Sequence, residues 1–330
     1  MSSTPLLLDP ALPADDLALL DALVQQRAPY RCYVEGPILE GFGAGLVRRH
    51  DALLHGIRTH VAAGVEESME DASARSNLFR GVFAEEGQVH EPACRPLLHH
   101  PVFLEAARTV GGLPVIEPTM LYANVLLPGQ ELFVHTDTPE FAGLSKGHVP
   151  EWLLVVMHHS GLFDADRLAI AGGVTFLSAC AGGAFRWWDA QGPHDVPPVR
   201  NTAVQLDADV TFHGVGRVGG PQAPAPLVRP GHTLSPQGDG WTLADGDRPV
   251  ATYGPGEVRV SVQWKARCWT DEAARDAVVP RRPLGPVVDR LEADLRDRGL
   301  LVGPRPDDVT LGLLLIDTYV PFPAESAGIA

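Results

Sequence analysis

Leu121-Tyr122-Ala123-Asn124-Val125-Leu126-Leu127-Pro128-Gly129-Gln130-Glu131-Leu132-Phe133-Val134-His135-Thr136-Asp137 reads as strand, turn, strand. The apolar first run is broken at Pro128-Gly129, and a second short run follows. Successive side chains of a strand alternate between faces, so residues i and i+2 share one. His135 and Asp137 therefore project to the same side at the end of the second strand.

A third candidate ligand lies 76 residues beyond Asp137. His213 sits in Ala208-Asp209-Val210-Thr211-Phe212-His213-Gly214-Val215-Gly216-Arg217-Val218, which alternates as a strand with Thr211, His213 and Val215 on one side. Two imidazoles and one carboxylate form a facial triad that holds Fe(II) and leaves coordination positions open. The same donors can hold zinc, but no further motif points to zinc hydrolysis. Further on, Gly256-Glu257-Val258-Arg259-Val260-Ser261-Val262-Gln263-Trp264-Lys265 alternates strictly. Val258, Val260, Val262 and Trp264 form one face, and Arg259, Ser261, Gln263 and Lys265 the other, as in a strand with helices outside and a polar interior. The planar fork of an arginine suits a carboxylate.

These elements, in this order, resemble the non-haem Fe(II)/2-oxoglutarate-dependent oxygenase superfamily. The Phe-His-Gly-Val context of His213 is similar to that of the superfamily's third metal ligand. The stretches 172–177, 151–157 and 184–188 look like its middle strands. The resemblance covers residues 117–265. It implies a double-stranded β-helix (jelly-roll, cupin-like) barrel, mainly β with flanking helices. It also implies Fe(II) on His135, Asp137 and His213, with O2 and the co-substrate 2-oxoglutarate. Arg259 and Ser261 would hold the distal carboxylate of that co-substrate. The expected reaction is hydroxylation of an unactivated C–H bond of a small molecule, an amino acid or specialised metabolite, with release of succinate and CO2. Desaturation, epoxidation and ring closure use the same ligands, but halogenases of this type lack the carboxylate that Asp137 supplies. Leu126 stands where related hydroxylases carry a co-substrate tyrosine, and Tyr122 and Asn124 on the same face are candidates to replace it. Arg217 and Arg229 lie nearer His213 than Arg259 does and are its rivals. Two other classes compete: an Fe(II) cupin-type oxygenase without 2-oxoglutarate, and a non-catalytic ligand-binding barrel.

The rest of the chain is consistent with this reading. Its 330 residues carry a formal net charge of −15, which disfavours a nucleic-acid partner. The four cysteines are widely spaced and form no Cys-x-x-Cys pair. No apolar run approaches the length of a membrane span, and no signal peptide is evident, so the expected protein is soluble, cytoplasmic and without a membrane partner. Residues 1–116 are expected to pack as a helical region, with helices near 13–27, 39–65 and 92–110. Residues 117–265 form the catalytic core, with a Gly- and Pro-rich inserted loop at 219–255 carrying a small hairpin around Trp241 and Tyr253. Residues 266–330 form a C-terminal helical region, with helices at 283–298 and 307–319 that cover the core or form a homodimer face. Residues 138–150 are the expected substrate loop, and Arg75 and Arg80 are candidates for binding an anionic substrate.

Overall fold

The computed structural model describes residues 4–33, 50–62, 64, 68–144, 146 and 149–324. Its strands are β1 (Leu6–Leu8), β2 (Tyr30–Cys32), β3 (Phe79–Glu85), β4 (Gln88–Val89), β5 (Val115–Leu126), β6 (Leu132–His135), β7 (Glu140–Phe141) and β8 (Arg167–Phe176). They continue with β9 (Phe185–Asp189), β10 (Gly192–Val196), β11 (Ala203–Leu206), β12 (His213–Val215), β13 (Thr233–Gln237), β14 (Gly240–Asp245), β15 (Arg248–Tyr253) and β16 (Arg259–Trp269). The helices are α1 (Ala14–Gln26), α2 (His50–Ala62), α3 (Met69–Ser76), α4 (Arg95–Leu98), α5 (Pro101–Gly111), α6 (Glu151–Ser160), α7 (Glu272–Asp276), α8 (Gly285–Asp297) and α9 (Asp308–Tyr319).

Two antiparallel sheets carry the fold. Among the described residues the large one runs β1-β11-β8-β16-β5-β3-β2-β13-β14-β15, with β4 on β3 and β7 on β8; the small one runs β10-β9-β12-β6. The chain shuttles between them: β5, β8, β11 and β16 lie in the large sheet, and β6, β9, β10 and β12 in the small one. That exchange is the winding of a double-stranded β-helix, mainly β with helices outside. Phe176, Val204 and Leu206 of the large sheet pack with Phe185 of the small sheet in one cluster, so the two inner faces meet. The sheets pair internally and do not close into one continuous barrel.

β16 lies between β5 and β8, with Ser261 opposite Asn124 on one side and Phe176 on the other. Its apolar face enters the main core. Trp264 is buried, its ring centroid 5.8 Å from that of Phe103 on α5, and its indole N–H donates to the Leu98 carbonyl at 2.7 Å. Pro101 opens α5, and Gly112, with φ 64°, closes it in the left-handed region that favours glycine.

The structure departs from the sequence reading in several places. Residues 151–157, expected as a strand, form α6. A short continuous apolar run has no period that separates strand from buried helix. Here Glu151 follows Pro150, Gly161 ends the helix, and Leu153 to Met157 bury against α8 and α9 in a second core. The same packing buries Val287, Leu291 and Leu295 of α8 and Leu311 and Leu315 of α9 within the chain. Residues before 117 supply β1 to β4 as well as helices; β1, β2 and β4 have two or three residues and carry too little alternation to be read, and the seven-residue β3 is a strand the sequence reading did not name. In the 39–65 stretch only α2 and Gly64 are described, and its first part lies outside the described residues. The 219–255 insert is not a loop with one hairpin. It is a β13-β14-β15 meander, with Trp241 opposite Tyr253, that joins the large sheet through β2. β16 continues past 265 to Trp269. No helix among the described residues is long and apolar enough to cross a membrane.

Replacing Trp264 with alanine removes a buried ring and leaves the Leu98 carbonyl without its donor. The expected loss is roughly 3–5 kcal/mol of unfolding free energy, measured by denaturant titration. A loss under ~1 kcal/mol would mean that α5 does not depend on this strand.

Candidate active site

His135 ends β6 and His213 opens β12, and the two residues are direct partners across the small sheet. Their rings lie 4.5 Å apart, centroid to centroid. Each ring is held by its own strand: His135 Nδ1 lies 2.6 Å from the Phe133 carbonyl oxygen and His213 Nδ1 2.8 Å from that of Thr211. A proton on Nδ1 donates in each case, which leaves the ring lone pair on Nε2. Asp137 follows β6, tied by its backbone N–H to the Ala208 carbonyl at 2.7 Å. Its Oδ1 is 3.9 Å from His135 Nε2 and 3.7 Å from His213 Nε2. The three donor atoms all lie within 4.8 Å of one another. Two imidazole nitrogens and one carboxylate oxygen converging from one side match the facial set of a divalent transition metal.

Lys265 completes this centre. Its Nζ is 2.6 Å from Asp137 Oδ2, so Oδ1 remains for the imidazoles. Burial alone would raise the Asp137 carboxyl, but the Lys265 ammonium, then His213 and His135, hold it well below the usual carboxylate range. Burial pulls the Lys265 amine down, and Asp137 outweighs it, leaving the amine above its ordinary value. Gly172 lies opposite Lys265 on β8, where a Cβ would stand 4.0 Å from Asp137 Oδ2 and 3.0 Å from Ala208 Cβ. A larger side chain there would crowd this ion pair. The sequence placed Lys265 on the polar face of its strand but assigned it no role. The signal was present in the strict alternation, since Lys265 shares a face with Arg259.

A cavity of about 1340 Å³ opens between the sheets, lined by His135, Asp137, His213, Tyr122, Asn124 and Arg259 among others. Arg259 is fully buried. Its Nε donates to the Gly183 carbonyl at 2.8 Å and its Nη1 to Ser261 Oγ at 2.9 Å, while Nη2 has no hydrogen-bond partner among the described residues. Its carbon stands 5.2 Å from the Phe176 ring centre. Burial pushes its pKa down to about 10, still charged at neutral pH. Ser261 Oγ accepts from both Arg259 and Gln263, so its own proton remains to be donated. Asn124, opposite Ser261, accepts from Arg80 Nε at 3.1 Å. Leu126, opposite Arg259, offers no hydroxyl.

The rival arginines do not line the cavity: neither Arg217 nor Arg229 is in its wall. Arg75 is also absent from the wall and pairs with buried Glu131, whereas Arg80 faces the cavity. Thr138, Pro139, Glu140 and Lys146 of the expected substrate loop line it too; His148 lies outside the described residues. Phe185 stacks on His213 at 5.5 Å and walls the metal ligands.

No protein-family model matches the chain, and no curated protein matches it. Among solved structures it is similar to an oxidoreductase of the 2OG-Fe(II) oxygenase family from Burkholderia pseudomallei, at 13% identity and TM-score 0.43, covering 84% of this chain and 88% of that one. It is also similar to a Pseudomonas putida prolyl-4-hydroxylase, at 18% identity and TM-score 0.31, covering 77% and 98%. A third is HygX from Streptomyces hygroscopicus with nickel, 2-oxoglutarate and hygromycin B bound, at 12% identity and TM-score 0.34, covering 82% and 98%.

Lys265→Met removes the partner of Asp137 Oδ2. Outer partners of metal ligands are typically worth 10–100-fold in affinity, so Co(II) affinity by visible titration should fall about tenfold or more with the far-ultraviolet spectrum unchanged. Unaltered Co(II) affinity would mean that Lys265 does not orient the carboxylate.

Proposed function

We propose that this chain is an Fe(II)- and 2-oxoglutarate-dependent oxygenase that hydroxylates an unactivated C–H bond of a small molecule. One observation carries the reading: three metal-type donor atoms converge in a cavity whose wall also holds a buried arginine with an unpartnered Nη2. A buried cation lacking a carboxylate is costly unless a ligand supplies the anion. A dicarboxylate that reaches from the metal to Arg259 would meet both needs.

Each residue has a definite part. His135 and His213 present Nε2 because Nδ1 is engaged by backbone carbonyls. Asp137 presents Oδ1 because Lys265 holds Oδ2. An iron bound by these three supplies the oxygen activation and C–H cleavage that no side chain can. Arg259 receives the distal carboxylate of 2-oxoglutarate through Nη2, Ser261 adds its hydroxyl proton, and the Asn124 amide is placed to donate to the same ligand. Phe185, Val174 and Leu206 give the chamber apolar walls and limit the water within it. Thr138, Pro139, Glu140 and Lys146 line the same cavity as Arg80 of β3, and its volume leaves room for a second molecule.

An Fe(II) oxygenase without 2-oxoglutarate would use the same triad, but it leaves the open Nη2 of Arg259 without a purpose. A non-catalytic binding barrel does not account for three convergent metal donors. The position of α8 and α9 against α6 favours core cover over a dimer face.

Anaerobic addition of Fe(II) and then 2-oxoglutarate to the metal-free protein should produce a saturable visible charge-transfer band. His135→Ala, Asp137→Ala and His213→Ala should each abolish it. Arg259→Gln should weaken 2-oxoglutarate binding roughly tenfold to a hundredfold, as expected for losing a charged hydrogen bond, while Fe(II) still binds. Fe(II) binding without the band in the wild type would favour the co-substrate-free oxygenase.

A further inference from the structure

The cavity wall holds a second cation without a counter-ion. Arg80 lies on β3, directly opposite Asn124 of β5, and so shares the inner face with Arg259 and Lys265. Its carbon stands 3.9 Å from the ring centre of Tyr33 and 4.3 Å from that of Tyr122. Its Nε is spent on Asn124 Oδ1. Among the described residues no carboxylate pairs with it. Packed rings attract a guanidinium through its faces and leave its Nη edge for hydrogen bonding.

The acids of this wall are already engaged. Glu85 pairs with Lys146 at 3.5 Å, and Glu86 and Glu140 pair with Arg267 at 2.6 and 2.7 Å. Asp137 pairs with Lys265, and Glu151 accepts from Thr138 at 2.8 Å. Arg80 differs in having no carboxylate partner among the described residues. Arg27, also in the wall, donates from Nε to the Val82 carbonyl at 3.3 Å. Arg31 of β2 lines the same cavity and is the direct cross-strand neighbour of Arg80. Like charges in that register repel, and Arg80 also acts against the positive charge of Lys265. In a chain of net charge −15, cations gathered on one cavity wall are not a reflection of composition.

We propose that Arg80 is the recognition point for a carboxylate on the primary substrate, so that the enzyme acts on small organic acids, amino acids included. A planar carboxylate fits the remaining guanidinium edge with two parallel hydrogen bonds. Bound there, it lies between Arg80 and the Arg31 strand and relieves their repulsion. The substrate is then anchored at β3 while 2-oxoglutarate occupies Arg259, two strands away. The inference rests on the function proposed above, but its test does not need turnover.

The experiment follows arginine Nε–H signals by NMR in the Zn(II)-loaded protein, with 2-oxoglutarate added first and then benzoate or benzamide as probe. The expected result is that 2-oxoglutarate moves the Arg259 signal and benzoate then moves the Arg80 signal saturably, whereas benzamide does not. Arg80→Gln should weaken benzoate binding about tenfold or more and leave the Arg259 response intact, which also reports that the variant is folded. The proposal is overturned if benzoate leaves the Arg80 signal unmoved, if benzamide moves it equally, or if 2-oxoglutarate itself moves Arg80. If 2-oxoglutarate moves neither arginine, the co-substrate reading fails, and the benzoate response still decides the role of Arg80.

Discussion

The two-residue repeat of β16 is the constraint on which this structure turns. Between β5 and β8 the strand must show one face to the helices and the other to the small sheet. Val260, Val262 and Trp264 take the outer face and enter the main core. Arg259, Ser261, Gln263 and Lys265 are thereby forced inward. A register slip of one residue would bury two cations among helices and turn Trp264 into the cavity. Packing of the outer face thus holds the polar groups in place, and the stability of the core and the geometry of the site are one arrangement.

Charge explains how so polar an interior is tolerated. Lys265 and Asp137 satisfy each other, and each of Asp137's two oxygens has a separate task. Arg259 has hydrogen bonds to Gly183 and Ser261 but no acid, which leaves it charged at a cost that a bound anion offsets. Arg80 is eased by two aromatic rings and by partial contact with water. Arg259 and Arg80, which have no acid partner among the described residues, thus line one chamber of an acidic protein, and the proposed anion binding rests on that distribution rather than on net charge.

The helices and the insert act at a distance from the chemistry. α6 sits between β6 and β8 in the chain and, with α8 and α9, builds a second core around Leu153 to Met157. The β13-β14-β15 meander extends the large sheet beyond β2, the strand that carries Arg31. Neither element contributes a metal-type donor among the described residues.

The sequence by itself determined that His135 and Asp137 share a side and which face of β16 turns inward, because both are encoded by local spacing. An i, i+2 pair on a strand shares a side whatever the fold, and strict alternation around Arg259 names its inward residues. It did not determine α6, since the run 151–157 is apolar at every position that matters and carries no period. It did not reveal the pairing of β13 with β2, because strands of three to six residues gain their identity from partners far along the chain. The partner of Lys265 was likewise out of reach, and Arg80, read as a candidate for an anionic substrate, could not be placed on the cavity wall. Lys265 meets Asp137 across 128 positions and Arg80 meets Asn124 across 44, and only the assembled sheet brings those groups within hydrogen-bonding distance.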